Sequence, residues 1–149
     1  MNYWIFKSSP KRYKIVVRLQ NQERKTTWLV SRYQQEIKAG DVAFIWKTGD
    51  FRGICAIIKI ESNPKEREEL KHELKYYIDL DPGSVCRVLA TFNSAFQTIS
   101  YKKIKKMPGL EELSMFHGYQ KGTNFRVTKK EGKILMSMID ELNPTFPLK

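Results

Sequence analysis

The residues of this 149-residue chain best suited to chemistry are two tryptophans with cationic neighbours. Trp28 follows a polar stretch, and Ser31 and Arg32 lie within one helical turn of it. Trp46 runs directly into Lys47-Thr48, and Lys7-Ser8 closes an aromatic first segment. An unstacked nucleobase needs flat apolar walls, donors and acceptors for its edge, and cations for its phosphates. Trp28 and Trp46 are candidates for the walls, Ser8, Thr48 and backbone groups for the edge, and Lys7, Arg32, Lys47 and Arg52 for the charge. The alternative for Trp46, inside Phe44-Ile45-Trp46, is a core position; Trp4 is read as core.

Enzymatic constellations are thin by comparison. His72 and His117 are the only histidines and stand in unrelated contexts, so structural zinc has no ligand set. No nucleophile elbow accompanies His117, and Gly40, Gly49, Gly53 and Gly122 form neither a Walker nor a dinucleotide fingerprint. The largest group of carboxylates, seven of sixteen, falls in one charged segment, Glu61 to Ser84. The expectation is therefore a non-catalytic protein without metal or cofactor.

The net charge is +11, and it is unevenly spread. Twelve Lys/Arg face four Asp/Glu from Met1 to Ile60, four face seven from Glu61 to Ser84, and eleven face five from Val85 to Lys149. Clustered positive charge is the footprint of a polyanionic partner, with nucleic acid the first candidate. The acidic middle is expected to face away from it; a uniformly basic surface that only aids solubility is the alternative. Cys55 and Cys86 sit in apolar runs, as small core hydrophobes do, and no CxxC pair exists. With no signal peptide and no apolar run near twenty residues, the location expected is cytoplasmic.

These candidates need a scaffold, and one domain over residues 1–149 is expected. Asn2–Lys7 reads as a strand ended by Ser8-Ser9-Pro10, Pro10–Gln20 as a helix, and Asn21–Thr27 as a loop. Ser31-Arg32-Tyr33-Gln34 has the spacing of a capping box before a two-turn helix stopped by Gly40. Val42–Lys47 and Arg52–Ile60 read as strands joined through Thr48-Gly49-Asp50, the second apolar enough for burial on both faces. Asn63-Pro64-Lys65-Glu66 predicts the start of a charged surface helix away from the site. Beyond a turn at Asp81-Pro82-Gly83, Val85–Ser100 predicts one long or bent strand. A short basic helix carrying Lys102, Lys103, Lys105 and Lys106 follows, with Lys102 and Lys103 as further candidates for phosphate contacts, then a partly helical Leu110–Gln120 and a last strand over 122–127. Thr128-Lys129-Lys130-Glu131 caps an amphipathic helix.

Taken together, YWIFKSSP, WLVSRY, IKAGDVAFIWKTG, FRGICAIIKI and GYQKGTNFRVTKKEGKILMSMI resemble the EVE domain, a PUA-like family related to YTH domains. The resemblance covers essentially the whole chain and is most specific from Ile37 to Gly53. It implies an α+β fold: a twisted, partly closed mixed β-barrel surrounded by helices. It also implies a pocket for a modified base, 5-methylcytosine or a similar base in DNA. By position, Trp28 would be a wall, Ser8, Ser9 and Thr48 would lie on the rim, and Gln120 and Thr123 would come from the opposite side. Many relatives have asparagine where this chain has Ser9, which would alter the contacts to a base edge. Family members stand alone or beside restriction and antiphage modules, the protein partners the resemblance implies. RNA bound on the same surface is the alternative, and a free nucleotide or small anion a more distant one.

Overall fold

The computed structural model describes residues 1–78, 83–117 and 122–142. Seven strands make one mixed sheet: β1 (Tyr3–Ser8), β2 (Lys25–Leu29), β3 (Val42–Lys47), β4 (Gly53–Ile60), β5 (Lys65–Arg67), β6 (Val85–Ser100) and β7 (Asn124–Val127). Among the described residues three α-helices accompany it: α1 (Ile15–Leu19), α2 (Tyr101–Lys106) and α3 (Lys129–Leu142). The order across the sheet is β2-β6-β4-β3-β1-β7, with β5 pairing β6 beside this path.

This is the expected α+β architecture, but the backbone ladder does not close into a barrel: β2 and β7 remain its outer strands. A side chain joins them instead. Asn124, fully buried at the start of β7, donates through Nδ2 to Leu29 O (3.0 Å), and its Oδ1 accepts from the amides of Ser31 (2.9 Å) and Arg32 (3.3 Å). No helix starts at Ser31. Only one turn forms, with Tyr33 at φ 57°, and Gln34 Nε2 reaches Val30 O rather than the serine.

Strand alternation separates two apolar clusters. Trp4, Phe6, Ala43 and Ile45 join Trp28, Ile58, Val88 and Phe92 on one side of the sheet. Ile5, Phe44 and Trp46 join Ile54, Ile99, Ile104 and Leu135 on the other, beneath α2 and α3. The capping box at α3 forms as expected, Thr128 N donating to Glu131 Oε1 (2.9 Å) and Glu131 N to Thr128 Oγ1 (3.1 Å). Gly132 then lets α3 approach β1, since a Cβ there would lie 2.1 Å from the Tyr3 ring.

Between Asn63 and Tyr77 the sequence expectation fails. Asn63 does not cap a helix; its Oδ1 accepts from Ala39 N (2.9 Å), and Lys65–Arg67 pairs with β6 before a 3-10 helix forms at Lys71–Tyr76. The stretch read as a loop up to Thr27 includes most of β2, because its threonines pair with Ala90 and Leu89 on β6. Helix α1 occupies only the end of the span expected for it. Of the turn at Asp81-Pro82-Gly83, all but Gly83 lies outside the described residues.

Candidate functional site

β1 and β3 run parallel with Ser8 opposite Lys47, so both strands finish at one edge, where Thr48 N donates to Ser8 O (3.0 Å). A cavity of about 420 Å³ opens at this edge. That lies within the ~300–1,000 Å³ usual for ligand pockets. Lys7, Ser8 and Ser9 line it from the end of β1, and Thr48 from the end of β3. Thr27, Trp28 and Leu29 come from β2, Arg12 and Tyr13 from the segment before α1, and Gly122 and Thr123 from the approach to β7. Glu69, Tyr77 and Arg87 complete the lining.

Trp28 is held in orientation. Its Nε1 donates to Lys7 O (3.3 Å), and Tyr13 meets it edge-on with ring centroids 6.3 Å apart. Behind these rings the supposedly remote acidic segment supplies a buried polar layer. Glu69, its side chain 2% exposed, accepts from Tyr77 OH (2.5 Å), Thr27 Oγ1 (2.5 Å), Leu70 N (2.8 Å) and Arg87 Nη1 (3.3 Å). Glu73 pairs with Arg18 Nε (2.7 Å), both about 1% exposed, and also accepts from Tyr13 OH. Buried carboxylates need such partners, because removing one leaves an uncompensated charge. Burial and the neighbouring Glu73 raise the Tyr13 phenol far above its ordinary pKa, and burial and Glu69 do the same to Tyr77.

Two cavity-lining side chains keep buried polar atoms without a hydrogen-bond partner among the described residues, Ser8 Oγ and Arg87 Nε. An unmet buried polar group costs about 1–3 kcal/mol. At the mouth, burial lowers the pKa of the Lys7 ammonium, whose Nζ lies 4.9 Å from the centre of the Phe125 ring.

Of the sequence-derived candidates, Lys7, Ser8, Ser9, Trp28, Thr48 and Thr123 converge on this cavity. Trp46 does not. It is 3% exposed on the opposite side of the sheet, edge-on to Tyr101 (6.1 Å) and Phe116 (6.0 Å). The cause is the two-residue period of β3, which points Phe44 and Trp46 away from the side taken by Ala43 and Ile45. Ser31 is exposed and off the lining, its amide taken by Asn124. Arg32 lies beside the mouth, where a Cβ on Gly122 would be 2.8 Å from its Nη1, but its guanidinium sits over Tyr33. Lys47 is half-buried at the end of β3 and outside the lining. Arg52 and Lys102 line a separate hollow, and Lys103 is exposed on α2. Gln120 lies outside the described residues.

Sequence reasoning missed Arg12, Tyr13, Glu69, Tyr77 and Arg87. Tyr13 and Tyr77 form an isolated bridge between two segments far apart in the chain, for which no local pattern gives a signal. His117 is exposed, its Nε2 3.0 Å from Glu111 O, and takes no part in the cavity. Among the described residues there is no group of three metal-ligating side chains and no helix long and apolar enough to cross a membrane. Cys55 is buried with its thiol pushed up to about 12 by desolvation, and Cys86 is half-buried; both are free.

An open mixed sheet with an aromatic, cation-rimmed cavity at the ends of its parallel strands defines an α+β module with a candidate ligand pocket. The chain belongs to the EVE domain family, whose model matches residues 2–138. No curated protein matches it. Among solved structures, a hypothetical protein from Leishmania major superposes with a TM-score of 0.68 at 14% identity, over 95% of this chain and 96% of that one. Human THYN1, in complex with 5-methylcytosine-containing DNA, gives 0.63 at 20% identity, over 93% and 97%. A mutant of ZmASCH from Zymomonas mobilis gives 0.53 at 8% identity, over 92% and 96%. Similarity at these identities is similarity of fold.

Proposed function

We propose that this protein is a non-catalytic reader of a modified base in DNA, which it holds unstacked in the cavity at the ends of β1 and β3. The observation that carries this reading is the cavity's composition: the Trp28 and Tyr13 rings behind, the cations Lys7 and Arg12 beside them, and unmet polar atoms on Ser8 and Arg87. In this role Trp28 is the stacking wall, and Ser9, Thr48 and Thr123 meet the base edge. Ser8 and Arg87 supply further contacts, and Lys7 and Arg12 take the flanking phosphates. Gln120 is retained as an edge contact on family likeness alone. The presence of 5-methylcytosine DNA in the human THYN1 complex supports modified cytosine as the first ligand to try.

The test is a competition at one salt concentration among duplexes with plain, 5-methylated or 5-hydroxymethylated cytosine, N6-methyladenine duplexes and matching RNA. One modified duplex should win, and Trp28→Ala should abolish its advantage by deleting a contact of about 1–3 kcal/mol. Equal loss of affinity for modified and plain DNA would overturn the stacking role. RNA outcompeting every duplex would overturn the choice of polymer.

A further inference from the structure

The loop between β3 and β4 presents a feature that base recognition in the cavity does not use. Phe51 at its tip is 80% exposed, the most exposed of the large apolar side chains among the described residues. Its stem is fixed on three sides. Lys47 pairs with Gly53 across the hairpin, Thr48 N donates to Ser8 O (3.0 Å), and Tyr101 N donates to Arg52 O (3.0 Å). Gly53 is needed for that geometry, since a Cβ there would lie 1.9 Å from Ile99 O.

The loop also connects the cavity to a basic surface. Ser9 and Thr48 wall both the cavity and a shallow hollow of about 430 Å³ that also contains Lys11, Gly49 and Asp50. Gly49 and Asp50 in turn wall a third hollow of about 460 Å³ with Phe51, Arg52, Tyr101 and Lys102. The Arg52 guanidinium stacks 4.3 Å over Tyr101, and Lys105 Nζ lies 3.0 Å from the Tyr101 hydroxyl. Lys11, Arg52 and Lys102 thus border this path against the single carboxylate of Asp50.

We propose that Phe51 is a wedge that enters the duplex beside the extruded base, with Arg52 and Lys102 holding the adjoining backbone. This rests on the reading of the cavity as a base pocket. Apolar side chains inserted between base steps offset unstacking, and the gap left by an extruded base needs a flat filler. A fixed stem carrying an exposed ring, on the loop whose first residue, Thr48, walls the cavity, and between cations, meets those needs.

The wedge is needed to open a duplex and is superfluous once the strand is already single. The full chain is therefore titrated with a duplex carrying one 5-methylcytosine beside a 2-aminopurine, and with the same labelled strand alone. Phe51→Ala should weaken duplex binding about tenfold, abolish the 2-aminopurine fluorescence rise and leave single-strand binding unchanged. Phe51→Trp should retain duplex binding. Unchanged duplex binding by Phe51→Ala, while the wild type still prefers methylated DNA, would overturn the wedge and leave the pocket standing. Equal loss on both substrates would overturn it too, making Phe51 an ordinary strand contact. If the wild type binds neither substrate, the pocket reading fails and the wedge with it.

Discussion

Trp28 and Trp46 are almost equally buried, at 7% and 3%, yet they serve opposite sides of the sheet. Trp46 is closed in by Tyr101, Phe116 and the residues under α2 and α3. Trp28 has a cavity beside it and a polar layer of Glu69, Arg87 and Tyr77 behind. Exposure alone would not tell them apart. What separates a structural indole from one available to a ligand is the volume beside it and the chemistry lining that volume.

The most forceful way to break this comparison is to truncate both rings. Trp46→Ala should destabilise the protein by about 3–5 kcal/mol, the usual cost of an aromatic deletion from a packed core. Trp28→Ala should cost less, because its ring already borders empty volume, so its main loss is in binding. Equal drops in melting temperature would mean that the two sides are packed alike.

A smaller effect tests the polar layer. Tyr77→Phe removes a donor from the buried Glu69 and should cost about 1.5–3 kcal/mol, the range for hydrogen bonds to charged groups, measured by urea denaturation. A change below a few tenths would show that water replaces the phenol.

The smallest effect is on pH dependence. The Tyr13 pKa is raised above its unfolded value of 10.0, so its stabilising contribution is complete below that pH and is lost as pH climbs towards the folded value. Stability should fall above ~10 by at most about 1.4 kcal/mol per pH unit from this group, and Tyr13→Phe should flatten the decline. Lys7, with its pKa lowered from 10.5, acts in the opposite direction below that value; the difference between wild type and Tyr13→Phe isolates the phenol. Identical alkaline profiles would place Tyr13 in water.

The sheet-forming segments were largely legible. β1, β3, β4, β6 and β7 follow from β-branched and aromatic runs, and α3 from its capping box and apolar stripe. That Lys7, Ser8 and Thr48 lie at one edge was legible because strand ends that converge bring their residues together. The polar layer was not legible, since a run such as Glu-Arg-Glu-Glu-Leu reads as a solvated helix unless the partners of Glu69 and Glu73 are known. Those partners, Thr27, Arg87, Arg18 and Tyr13, lie far away in the chain. The capping box at Ser31 was also misleading: the Ser31 amide donates to Asn124, 93 residues away, Gln34 reaches Val30 O, and Tyr33 at φ 57° is not helical.

Asn124 has one more consequence. The side-chain amide of Asn124 bridges the sheet's two outer margins, and the cavity takes lining from both sides of that seam: Trp28 and Leu29 on one, Gly122 and Thr123 on the other. A guest seated there would rivet the margins together. The free energy of its binding would then add to folding stability, and slower hydrogen exchange should appear first at the amides of Ser31 and Arg32.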